Sequence, residues 1–92
     1  MNKARNIFNR YSKDGPIDTT GANSVHFINK GNVTVTLNDV LELEAGESFG
    51  ISQVDPETTD VTDYRIFFNP VLPGADIYSL VVIKTIIQKN TC

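Results

Sequence analysis

SVHFINKGNVTVTLNDVLELEAGESFGIS, residues 24–52, alternates apolar and polar side chains almost without a break. Val33, Val35 and Leu37 point one way, and Thr34, Thr36 and Asn38 the other. After a short Asn38-Asp39 interruption, Leu41 and Leu43 alternate with Val40, Glu42 and Glu44. A period of two sends successive side chains to opposite faces of a pleated strand, one face for a core and one for water. Antiparallel strands joined by tight turns carry this signature. The fold class it predicts is all-β: an antiparallel β-sandwich or jelly-roll-like small barrel of roughly six to seven strands.

Working outward from this stretch, the predicted strands are Val25–Asn29, Asn32–Leu37, Val40–Glu44 and Ser48–Ser52. Asn29-Lys30-Gly31-Asn32 reads as the hairpin between the first two, with Gly31 supplying a positive φ. Ala45-Gly46-Glu47 is a second turn. Gln53–Asp63 reads as a loop, because Pro56 excludes it from a central ladder. Tyr64–Asn69 is a further strand, and Pro70–Asp76 a turn in which Pro73-Gly74 has the type II preference. Ile77–Lys89 closes the sequence as a long strand rich in β-branched residues. Its two faces are both apolar, Leu80, Val82 and Ile86 against Val81, Ile83 and Ile87. Either one face meets another subunit, or the strand is central and the N-terminal segment covers it.

On the N-terminal side, Lys13–Asn23 gathers Gly15, Pro16, Gly21 and several turn formers, and reads as an exposed loop. Residues 4–12 read as a first strand or an arm anchored by Ile7 and Phe8. The expected organisation is one β-sandwich domain over 1–92, with 1–23 as a basic arm and loop. A mobile arm over 1–13 would be removable without unfolding the body.

The net charge of −3 hides an uneven distribution. Lys3, Arg5, Arg10 and Lys13 are four of the eight basic residues, with no acidic residue among the first 13 positions. From Asp39 to Asp63 there are eight carboxylates and no Lys or Arg. Such asymmetry bears on association more than on fold. The longest apolar stretch, Leu80–Ile83, is too short to cross a bilayer, so no membrane partner is expected. The N-terminus lacks the apolar core and cleavage site of a secretory signal. Cys92 is the only cysteine, which excludes an internal disulfide.

No enzymatic activity is expected. Nucleophilic catalysis needs an activated nucleophile with a base and an orienting group beside it. The single histidine, His26, lies between Val25 and Phe27, and alternation turns it toward solvent. No catalytic residue, metal ligand or cofactor site follows from any motif. Asp55, Glu57, Asp60 and Asp63 form the one acidic loop with the chemistry for a hard cation, but their spacing departs from the EF-hand pattern. A ligand-binding module for carbohydrate or calcium, using this 55–63 loop, is the alternative reading. The absence of tryptophan weakens the carbohydrate version. Basic residues interleaved with Phe8 and Tyr11 suit nucleic acid, but the acidic mid-section would repel a polyanion. A connector whose charge is answered by the acidic surface of a neighbouring copy fits better.

The run VHFINKGNVTVTLNDVLELEAGESFGIS, followed by a polar loop and YRIFF, resembles small β-sandwich virion proteins of tailed bacteriophages. The matching positions are Phe27 to Asn29, Val33 to Leu37, Leu41 to Leu43 and Gly46 to Phe49, and the likeness covers about half the chain. The resemblance implies a non-enzymatic structural protein: a capsid decoration, an adaptor, or a spike or tail part. It implies a virion location after assembly in the host cytoplasm, with other virion proteins and copies of itself as partners. It carries over no active-site residue. The residues expected at such an interface are Lys3, Arg5, Phe8, Arg10 and Tyr11 of the basic segment and Leu80, Val82 and Ile86 of the last strand.

Overall fold

Alternation over 33–43 becomes two short paired strands. In the computed structural model, which describes residues 3–55, 57–71 and 74–88, Val33, Val35, Leu37 and Leu43 are buried while Glu42 and Glu44 face out. The described residues are all-β with eight strands, more than the sequence reading predicts. They are β1 (Lys3–Tyr11), β2 (Gly15–Ile17), β3 (Ser24–Asn29), β4 (Thr34–Leu37), β5 (Leu41–Leu43), β6 (Ser48–Ser52), β7 (Tyr64–Asn69) and β8 (Leu80–Gln88). Two four-stranded antiparallel sheets result, in the orders β1-β8-β3-β6 and β2-β7-β4-β5. The first and last strands pair, then the second with the seventh, the third with the sixth and the fourth with the fifth. Joins of β3 to β8 and of β4 to β7 complete the sheets.

Inward residues of both sheets form one hydrophobic cluster. Phe27 of β3 meets Tyr64 of β7 with ring centroids 5.2 Å apart, in the tilted geometry that aromatic quadrupoles favour. At the β4–β5 turn, Asn38 and Asp39 both have positive φ, 51° and 62°. Asn and Asp tolerate this region better than other side-chain-bearing residues, which is why a hairpin turn forms there. The turn is tied to β7, because Asn38 Oδ1 accepts from the Arg65 N–H at 2.8 Å.

Four expectations need correction. The segment Asn29–Asn32 is no hairpin: β3 and β4 belong to different sheets, and the chain crosses between them here. Gly31 is needed for space and not for a positive φ. A Cβ on it would lie 2.1 Å from the Ile77 carbonyl oxygen. Within the expected loop 13–23, Gly15–Ile17 pairs with β7 as an edge strand, where the missing N–H of Pro16 is tolerated. Finally, of the two readings of residues 4–12 the strand holds and the arm does not. β1 pairs with β8 along nine residues, beside it in the same sheet and not across its face. The Pro73-Gly74 turn and the end of the last predicted strand, Lys89, fall partly or wholly outside the described residues.

Where the chain crosses from β3 to β4, its backbone groups leave the ladder and need other partners. The N–H groups of Lys30 and Asn32 donate to the carbonyls of Ser79 (2.8 Å) and Ile77 (3.1 Å). Asn29, with no exposed surface, supplies further ones. Its amide donates to the carbonyls of Val33 (2.8 Å) and Leu43 (2.9 Å), and its Oδ1 accepts from the Gly31 N–H (3.0 Å).

Asn29→Ala is expected to destabilise the chain by about 2–4 kcal/mol, because it leaves buried carbonyls and an N–H unpaired. Urea unfolding checks this, and a loss below 1 kcal/mol, about the lower bound for such groups, would contradict it. Deleting residues 1–11 is expected to lower the midpoint sharply, since it uncovers the β8 backbone and removes Tyr11 from the edge of the core. An unchanged midpoint would restore the arm interpretation.

Candidate interaction surface

Register decides which side chains of the sheet β1-β8-β3-β6 face outward. Directly opposed residues of an antiparallel pair lie on the same face. Phe8 is opposite Ile83, which is opposite His26, which is opposite Gly50. Parallel rows hold Arg10, Val81, Ile28 and Ser48, and Asn6, Thr85, Ser24 and Ser52. The outer face is therefore an apolar band of Phe8, Ile83, Val81 and Ile28 with polar rows beside it. Phe8 is 66% exposed, and the other three are half-buried by their neighbours alone.

The sequence-predicted interface residues divide between two faces. Phe8 and Arg10 lie on this outer band. Tyr11, Arg5 and Lys3 point the other way, in register with Leu80, Ile86 and Gln88. Leu80 and Val82, at 0% and 2% exposure, are sealed in the chain's own core, so they offer nothing to a neighbour. Ile86 is half-buried, with its Cδ1 close to Gly21. Both faces of β8 read as apolar in the sequence, and the core took Leu80 and Val82. Val81, Ile83 and Ile28 were the outer residues that the reading missed. Their alternation with core residues was the available signal, but choosing between the faces needs the register.

At the far side of the same sheet, β6 is the other outer strand. Between it and β5 opens an apolar slot of about 350 Å³, floored by Leu37, Leu41, Phe49, Ile51 and Tyr64. His26 is exposed, as alternation predicts, and its ring lies over Gly50, where an added Cβ would come within 2.7 Å of Nδ1.

The acidic loop folds onto itself. Asp55 Oδ1 accepts from the N–H groups of Glu57 and Thr58 and from the Thr58 hydroxyl. Asn23 pins the loop from β3's side by donating to the carbonyls of Asp55 and Thr58, each at 2.8 Å. Asp60 is buried, accepts from the Tyr64 hydroxyl, and accepts from the Thr62 N–H at 2.9 Å. Among the described residues, no three of His, Cys, Asp and Glu converge on a point that a metal ion could occupy. Cys92 lies outside the described residues.

No protein-family model, curated protein or solved structure matches this chain.

The Asp60–Tyr64 pair gives stability a pH signature. Burial pushes the Asp60 carboxyl up, but hydrogen bonds from the Tyr64 hydroxyl and from the hydroxyl and N–H of Thr62 outweigh it, and the group sits below its usual range. Burial, and then the Asp60 carboxylate, push Tyr64 up to about 12. A depressed carboxyl stabilises the fold above its unfolded pKa of about 3.9, and that contribution is lost as pH falls through the native value. A raised tyrosine stabilises below its unfolded pKa of about 10, and the contribution is lost as pH rises from there toward the native value. Stability is therefore expected to fall at both ends. Tyr64→Phe should cost about 1–3 kcal/mol at neutral pH and make the alkaline limb shallower. Asp60→Asn should flatten the acid limb. Urea midpoints measured across pH check both, and unchanged limbs in the two variants would refute the pairing.

Proposed function

We propose that this chain is a non-enzymatic structural assembly protein that acts through protein–protein contacts, built as a jelly-roll β-sandwich. The architectural part rests on the nesting of pairs: first with eighth, second with seventh, third with sixth, fourth with fifth. A long two-stranded ribbon rolled into two sheets produces this order, and eight-stranded double-sheet jelly rolls are built in that way. The likeness of residues 25–68 to small virion proteins of tailed bacteriophages gives the reading its specific form. In that form the chain is a decoration, adaptor, or spike or tail component, meeting copies of itself and other virion proteins in a particle assembled in the host cytoplasm.

The observation that carries the reading is the apolar band on the outer face of β1, β8 and β3. Contiguous exposed apolar surface on a small chain marks a contact site, whereas single exposed apolar residues need no explanation. Here Phe8, Ile83, Val81 and Ile28 adjoin across three strands, and no element of the described chain lies over them. The basic residues of β1, Lys3, Arg5 and Arg10, sit on the strand that ends this sheet. Charges so placed set orientation and encounter rate at a contact more than its strength.

Absolute molar mass by light scattering tests the reading on the full chain. A mass above the 10.2 kDa monomer is expected, falling as salt rises and falling again in Phe8→Ser. A monomer at every salt and protein concentration would count against self-assembly.

A further inference from the structure

The two outer strands of one sheet are complementary to each other. In β1-β8-β3-β6 every neighbouring pair is antiparallel, so β1 and β6 run in opposite directions. A second copy generated by translation, or by rotation about an axis along the strands, places its β1 antiparallel to the first copy's β6. Such a head-to-tail contact continues the sheet with the ladder geometry it already has, and closes into a ring or extends as a filament. The other sheet is poorly suited to the same addition. Its outer strands, β2 and β5, have three residues each, and β2 contains Pro16.

We propose that β1 of one copy docks on β6 of the next, extending the sheet between copies. The inference rests on the assembly reading above and adds to it an edge contact, which reaches Phe8 but not the rest of the apolar band. Several observations choose this occupant over others. Alternation is kept when inward residues of β1 (Arg5, Ile7, Asn9) meet inward residues of β6 (Phe49, Ile51). One such register sets Ile7 beside Ile51, at the open slot between β5 and β6. It also sets Phe8 opposite Gly50, over which the His26 ring already lies, and so brings the two rings side by side. The same register brings Lys3 to Asp55. Exposed Lys3, Arg5 and Arg10 would meet a strand flanked by exposed Glu44, Glu47, Asp55 and Glu57. A symmetric β1–β1 contact would instead gather the same cations from both copies.

Disulfide trapping in the full chain tests the contact. Asn6→Cys and Ser52→Cys are made separately, each with Cys92→Ser. The proposed register places residue 6 of one copy opposite residue 52 of the next. Within a single chain the two positions are three strand spacings apart, about 14 Å, beyond the reach of a disulfide. Under mild oxidation, a linked species of twice the monomer mass is expected on mixing the two proteins. Neither protein alone should form it, and its yield should fall several-fold in high salt. Linkage of Asn6→Cys to itself would overturn the proposal in favour of a β1–β1 contact. No linkage in the mixture, with an oligomer still seen by light scattering, would overturn it and leave the assembly reading standing. No linkage and a monomeric mass would remove both.

Discussion

The fold depends on how the chain crosses between its sheets at Asn29–Val33. Backbone that leaves one ladder inside a protein, before joining the next, costs free energy unless every N–H and C=O finds a partner. The carbonyls of Ser79 and Ile77 take the N–H groups of Lys30 and Asn32, and one buried amide meets a further part of that demand. Asn29 binds the carbonyl that precedes β4, the carbonyl that ends β5 and the N–H of Gly31. Its own backbone pairs with Glu47 and Gly46 on the turn leading into β6. Gly31, Val33 and Leu43 therefore converge on one side chain. Gly31 completes the crossing by letting the Ile77 carbonyl approach where any Cβ would collide. Bulkier residues at either position would leave the hydrophobic pattern of the strands unchanged yet remove the connection between the sheets.

This dependence also shows what sequence can and cannot convey. The inward set Val33, Val35, Leu37 and Leu43 was legible because alternation fixes which residues share a face. The hairpin expected at Asn29–Asn32 failed because Asn-Lys-Gly-Asn has the composition of a tight turn whether the flanking strands pair or diverge. Partner choice is a property of the whole sheet, and composition at the turn carries none of it. β2 was hidden for a related reason. Gly15 and Pro16 read as turn formers, and only their place at a sheet edge makes a strand there acceptable. For the candidate surface, the apolar character of both β8 faces was visible. Which face the core would claim was not, because a one-residue change of register exchanges them.

The two sheets treat their edges differently. An exposed strand edge invites pairing with other chains, and proteins usually shorten it, charge it or interrupt it with proline. Shortness and Pro16 blunt β2 and shortness blunts β5, so the sheet they border is poorly suited to further strands. In the other sheet β1 runs for nine residues and is protected only by Lys3, Arg5 and Arg10. Charge is a selective form of protection. It repels an edge of the same sign and leaves an edge of opposite sign free to approach, and salt weakens both effects.

Selectivity of this kind suits a protein that must join in one orientation. Hydrophobic burial alone is indifferent to direction, since an apolar band like that of Phe8, Ile83 and Val81 can meet a copy of itself as well as anything else. Placing cations on one outer strand and carboxylates around the other makes the two ends of one sheet unlike. A self-matched contact then carries a repulsive cost that a head-to-tail contact does not. The same separation of charge accounts for the bias between the first 13 residues and residues 39–63, a feature the core has no use for, since nearly all of these charged side chains lie at the surface. Of the eight carboxylates in that stretch, Asp60 alone is buried, and it is held by Tyr64 and Thr62 as part of the fold. The remaining seven are exposed.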